Sequence, residues 1–303
     1  MSSTHLARPR AVVRATQWWG HKVPPILGLA YLVLLGTGDR PVVGAAEGTA
    51  LVVLLVVAVT GVAAFGHLVN DVADRDVDAA ADKPNASAAL RTSLVVTLLV
   101  GALVVGVAPF FLLPAERAAW GLLAAQLLLL VGYSVPPVRW KDRGLAGVLA
   151  DALYAQVVPF LLTVAALAGA GGGQDAAPLA MAFGAWGLCA GGRGILYHQV
   201  DDRRADRTAG TRTFVVVHGT AAAQRLATLL TAGEVLALVG VLVVASQRVP
   251  WYGVGLLVAL AWRGLQLAQL TGLLGVETER PGVRFVGFQV LNHTYERWMP
   301  LLP

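Results

Sequence analysis

Apolar blocks near or above about 18 residues recur along the chain between short polar connections, and that is the length a helix needs to cross a hydrocarbon core. The pattern predicts spans at about 23–38, 45–69 and 92–113. Pro114, Ala115 and Glu116 make a tight turn into a fourth span, which ends near Tyr133. Pro136 and Pro137 then break the helix inside YSVPPVRWKDRG, Tyr133 to Gly144, and a fifth span follows to about 169. After the flexible GAGGGQD stretch come spans at about 178–200, 220–246 and 250–275, and a more polar ninth from about 285. The expected architecture is an all-α polytopic membrane protein, one domain over residues 1–303.

Composition agrees, with 56% hydrophobic and only 14% charged residues, where a soluble domain carries about a quarter charged. In such a protein the net charge of +5 matters through its distribution, and the bilayer, not nucleic acid, is the expected partner. Sorting the basic side chains by connection puts sixteen on the N-terminal side and in the even-numbered connections, Arg8, Arg10, Arg14, Lys22, Arg75, Lys83, Arg91, Arg139, Lys141, Arg143, Arg203, Arg204, Arg207, Arg212, Arg280 and Arg284. Three, Arg40, Arg117 and Arg248, fall in the odd-numbered ones. By the positive-inside rule the N-terminus and the even connections are cytoplasmic. The basic N-terminal stretch with Trp18 and Trp19 reads as an interfacial segment without a signal-peptide cleavage site. Cys189 is the only cysteine, which excludes an internal disulfide and a cysteine metal site.

Two acidic groups end spans on that same side. In NDVADRDVD, Asn70, Asp71, Asp74 and Asp78 fall within an arc of roughly 100° on a helix. Asp202 and Asp206, four residues apart, share a face at the end of the sixth span. A carboxylate at mid-membrane costs about 2.5–3.5 kcal/mol, so these groups belong near the interface or in a wet cavity. Oxygen ligands suit Mg2+, which binds one or two carboxylates and keeps sites for phosphate oxygens. Two facing clusters are therefore a candidate diphosphate clamp, with Arg75, Lys83, Arg139 and Lys141 as candidate phosphate partners. A clamp in an apolar bundle points to a substrate with a diphosphate head and a hydrocarbon tail, ionising to an allylic cation. Tyr133, Tyr154, Tyr197 and Phe65 are candidate aromatic faces for that cation. His198 and Gln199 flank the Asp202 face and are read either as diphosphate contacts or as plain helix-end hydrogen-bonding groups. Arg193, Glu234 and Arg263 are ionisable groups in or near spans, although Arg193 points away from Asp202 on an ideal helix. Glu296 and Arg297 read as interfacial anchors of the last helix. The small residues of Gly184 to Gly194 permit close packing within or between chains.

Across nearly its whole length the chain resembles the UbiA-type superfamily of intramembrane prenyltransferases. NDVADRDVD matches the pattern NDxxDxxxD, DDRRADRTAG matches DxxxD followed by glycine, and YSVPPVRWK resembles YSxPPxRxK. The resemblance implies nine helices around a central cavity, a cytoplasmic cap and Mg2+-dependent prenyl transfer from an isoprenoid diphosphate to a lipophilic or aromatic acceptor. It also implies that Asn70, Asp71, Asp74 and Asp78 serve one metal and Asp202 and Asp206 the other, with Arg139 and Lys141 near the diphosphate. Asp74, Asp202, Tyr133 and Tyr197 are the expected catalytic residues. KPNASAALR, Lys83 to Arg91, departs from the KPxRPxxSG stretch of many members, so the acceptor is not inferred from the quinone and haem branches. A terpene cyclase would use the same clamp, and a cation transporter would instead place broken, charged segments at mid-membrane.

Overall fold

The computed structural model describes residues 15–36, 41–171 and 176–249 and scattered positions between 253 and 268. Among them the chain is helical throughout, apart from one isolated bridge between Gly144 and Thr213. The helices are α1 (Ala15–Leu35), α2 (Ala45–Ala73), the short α3 (Arg75–Ala80), α4 (Thr92–Val107) and α5 (Arg117–Ser134). They continue as α6 (Leu145–Ala152), α7 (Val158–Leu167), α8 (Ala177–Thr208) and α9 (Phe214–Ser246). A π-turn over Leu153–Val157 joins α6 to α7, so the two form one rod from Leu145 to Ala170.

Six helical segments are long and apolar enough to cross a membrane, and the apolar part of α1, Lys22–Leu35, is shorter. These match the first seven spans expected from the apolar blocks. The eighth and ninth, Arg263, and the anchors Glu296 and Arg297 lie outside the described residues or at positions whose side chains are not described.

Burial follows what a bilayer-embedded bundle requires. Helix α1 is enclosed, with Ile26, Leu29, Ala30, Leu32 and Val33 at 0–2% exposure against α2, α7 and α8. Helix α4 packs on α2 and presents Val96, Val100 and Val104 outward at intervals of four, an apolar stripe suited to lipid.

Glycine brings helix pairs close. A Cβ at Gly61 on α2 would lie 2.2 Å from the backbone nitrogen of Gly106 on α4, so this crossing excludes any side chain. Gly187 and Gly191 on α8 face Phe160, Gln156 and Ala152. The small-residue stretch thus packs at these positions within the chain. Gly61→Ala is expected to cost about 1–3 kcal/mol through forced separation of α2 and α4, read as a lower thermal midpoint in detergent. Gly101→Ala, which would meet nothing within 4 Å, serves as the control that leaves the midpoint in place.

Candidate active site

The acidic helix ends gather at one end of the bundle, but not on one continuous helix. Helix α2 stops after Ala73, Asp74 occupies the break, and α3 restarts at Arg75. The bonds from Asp74 N–H to Asn70 O (2.9 Å) and from Asp78 N–H to Asp74 O (2.7 Å) keep near-helical spacing across it. Asn70 and Asp71 are therefore on the last turn of α2, Asp74 at the joint and Asp78 on α3.

Asp74, Asp78, Asp202 and Asp206 are each met by a specific donor. Lys141 Nζ contacts both oxygens of Asp74 and donates to Asn70 Oδ1 at 3.0 Å. Asn70 Oδ1 also accepts from Ser134 at 3.0 Å. Arg139 donates to Asp74 (3.0 Å), Asp142 (2.6 Å) and the Ser134 carbonyl (3.0 Å). These bonds hold Arg139 at φ 35°, ψ 62°, a left-handed conformation that costs a non-glycine residue roughly 1–2 kcal/mol. Strain retained in this way marks a side chain whose direction matters. On the opposite side Lys83 bridges Asp202 (3.0 Å) and Asp206 (3.2 Å). Asn85 donates to Asp78 (2.8 Å) and to the Asp71 carbonyl (2.7 Å).

The two cations differ in their environments. Burial draws the Lys141 ammonium below the ordinary lysine range, and the partly compensating charge and hydrogen bonds of Asp74 do not restore it. For Lys83 burial acts in the same sense, but the hydrogen bonds and charges of Asp202 and Asp206 outweigh it and the pKa rises. Arg139 likewise rises, since its bonds to Asp142 and Asp74 outweigh burial. The chain has only three lysines. Two of them are committed to these acids, and the third, Lys22, lies over the ring of Tyr154 with its ammonium 5.6 Å from the centroid.

Several expected site residues take other positions. Arg75 binds the Ser87 hydroxyl (3.0 Å) and carbonyl (2.8 Å), so it secures the loop after α3 instead of joining Lys141 and Arg139. Gln199 is buried, and its side-chain oxygen accepts from Val215 N–H at 3.4 Å in the first turn of α9, a helix-end role. His198 is exposed, with Nε2 3.9 Å from Asp202. Tyr197 is buried among Val148, Leu196, Val215 and Ala223, with the Arg193 guanidinium 5.5 Å from its ring. Five residues turn a helix by about 140° beyond one revolution, which points Tyr197 away from the Asp202 face and into the α6, α8 and α9 core. Tyr133 and Tyr154, in contrast, meet edge to face with centroids 5.0 Å apart. Phe65 packs at the margin of the main core.

Asn85, Ser134, Gln126 and Asp151 are polar participants that the motifs alone did not identify. The hydroxyl of Tyr154 donates to Asp151, and Gln126 donates to the Tyr154 carbonyl at 2.7 Å in the π-turn. Asp151 had a usable signal, because an ionisable residue inside an apolar span is a functional candidate by default. Among the described residues no three acidic, histidine or cysteine side chains converge at metal-ligand spacing. The donor set is nevertheless all oxygen and acidic, which fits Mg2+. Of the carboxylates it would use, Asp74, Asp78, Asp202 and Asp206 are held by Lys83, Arg139, Lys141 and Asn85, and Asp71 is buried on the last turn of α2.

The described residues thus form an apolar helical bundle with two aspartate clusters and interleaved cations at one end. The model of the UbiA prenyltransferase family matches residues 23–272, and the chain belongs to that family. It is 36% identical over 157 residues to the lycopene elongase/hydratase of Haloferax volcanii, a match covering 51% of this chain and 48% of that protein. The corresponding Halobacterium salinarum protein is 36% identical over 155 residues, covering 50% and 52%. The chain thus spans about half the length of these curated relatives in the matched region. A UbiA homologue from Archaeoglobus fulgidus bound to DMAPP and Mg2+ superposes with TM-score 0.65 at 16% identity, covering 96% of this chain and 98% of that one. An apo UbiA homologue from Aeropyrum pernix K1 gives TM-score 0.67 at 16% identity over 93% and 96%. These structures share the fold.

Proposed function

We propose that the protein transfers a prenyl group from an isoprenoid diphosphate to a lipophilic acceptor within the membrane, with Mg2+ as cofactor. The observation that carries this reading is the alternation of acids and cations at the bundle end, where Lys141 and Arg139 meet Asp74 and Lys83 meets Asp202 and Asp206. Asn70, Asp71, Asp74 and Asp78 on one side and Asp202 and Asp206 on the other would hold the metal. Bound there, Mg2+ would offset the diphosphate charge and make it a better leaving group.

The chain's own cations supply the rest. With a metal held by the acids, Lys141, Arg139 and Lys83 would be available to phosphate oxygens. Tyr133 and Tyr154, paired edge to face, would offer π surface to the allylic cation that forms once the C–O bond breaks. The bundle end carrying both acid clusters is assigned to the cytoplasmic side, on the basic-residue count.

The named relatives make a long apolar polyene the first acceptor to try. Incubation with Mg2+, prenyl diphosphates of several lengths and either lycopene or membrane extract is expected to give a prenylated product only when acceptor is present. A cyclic hydrocarbon or alcohol formed without acceptor would replace transfer by intramolecular cyclisation.

A further inference from the structure

Below the cap lies a second polar cluster that the diphosphate and metal chemistry does not use. Asp151 is the one charged side chain in the rod from Leu145 to Ala170 and sits just before the π-turn. A carboxylate inside a membrane bundle is retained at a cost, about 2.5–3.5 kcal/mol at a helix centre. Four elements converge on it. Tyr154, on its own rod, donates its hydroxyl to Asp151 Oδ2. Lys22 from α1 lies over the Tyr154 ring and interacts electrostatically with Asp151, as does His198 from α8. Tyr133 from α5 meets Tyr154 edge to face.

Two features point this cluster at substrate. Lys22, Tyr133, Asp151 and Tyr154 are all half-buried. Tyr133 interacts electrostatically with Asp151 and also with Asp74 and Asp206 of the cap. Its neighbour Ser134 donates to Asn70 Oδ1, so a chain of contacts runs from the first acid cluster through Tyr133 and Tyr154 to Asp151. Asp151 Oδ1 makes no hydrogen bond among the described residues, so one carboxylate oxygen is held and the other is available. The π-turn that sets this geometry is a local irregularity of the kind found at functional sites.

Resting on the prenyl-transfer reading, we infer that Asp151 is the general base that takes the proton the acceptor loses. Ionisation breaks the allylic C–O bond, and pyrophosphate leaves with the electron pair. An acceptor double bond gives its π pair to the allylic carbon, which forms the new C–C bond and leaves positive charge on the acceptor. A proton on the adjoining carbon passes to Asp151, and the C–H pair restores a double bond. Tyr154 fixes the orientation of the carboxylate.

The test uses the full-length protein in lipid nanodiscs with Mg2+, dimethylallyl diphosphate and lycopene as probe acceptor, measuring pyrophosphate and coupled product together. For Asp151→Asn, pyrophosphate release is expected to stay within about threefold of wild type while coupled product per pyrophosphate falls roughly 10²-fold, the range of general-base contributions. Dimethylallyl alcohol accumulates instead, and Asp151→Glu recovers coupling. An unchanged ratio in Asp151→Asn would overturn the assignment and leave pyrophosphate as the base. Parallel loss of both readouts with a lowered thermal midpoint would overturn it too, marking a structural residue. Absence of pyrophosphate release from the wild type would instead remove the prenyl-transfer reading itself.

Discussion

Replacing Asp74 by asparagine is expected to lower pyrophosphate release from a prenyl diphosphate roughly 10²–10³-fold, the loss seen when one preorganised electrostatic group is removed from a reacting centre. Asp74 stands at the joint between α2 and α3 and is the shared partner of Lys141 and Arg139. On the proposed reading, its loss would remove a metal ligand and release Lys141 and Arg139 from their carboxylate partner. Asparagine keeps the size and one oxygen acceptor, so Lys141 and Arg139 retain a neutral partner and the fold survives. The checks are single-turnover pyrophosphate release and a thermal midpoint on the same preparation. An inactive but stable variant is the expected combination.

A second large effect lies away from the site. Arg193 on α8 and Glu234 on α9 pair at 2.8 Å with 1% and 0% of their side chains exposed, and Trp186 adds a hydrogen bond to Glu234 at 3.2 Å. Glu234→Ala leaves a buried guanidinium without its carboxylate and is expected to cost about 3–5 kcal/mol. Replacing both partners with apolar residues, Arg193→Met with Glu234→Leu, is expected to recover most of that stability, because the desolvation cost disappears with the pair. The measurement is the unfolding midpoint of the three proteins in one detergent. Because α8 also carries Asp202 and Asp206, the single variant is expected to lose activity along with stability.

Much of this molecule was readable from its residues, for reasons that also explain what was not. Apolar blocks of membrane length mark the spans directly, since a bilayer leaves few other structures for such a run. Lys83 and Lys141 read from the sequence as candidate phosphate partners, and their ion pairs with Asp202, Asp206 and Asp74 are tertiary contacts that local pattern does not encode. The break at Asp74 was hidden, because nothing in NDVADRDVD interrupts helical spacing. The burial of Tyr197 was available from helix geometry, as the same arithmetic that turned Arg193 from Asp202 applies four residues later. The Arg193 and Glu234 partnership joins positions 41 apart, a tertiary contact that local pattern does not encode. Asp151 lacked only the rule already applied to those two residues.

The claim that the two aspartate clusters act as one Mg2+-dependent diphosphate clamp is tested most directly by pyrophosphate release from dimethylallyl diphosphate, followed through chelation with EDTA and readdition of Mg2+. The account predicts that wild-type release stops and recovers, and that Asp202→Asn releases little in either condition. Release indifferent to chelation, or an Asp202→Asn variant working at the wild-type rate, would contradict it.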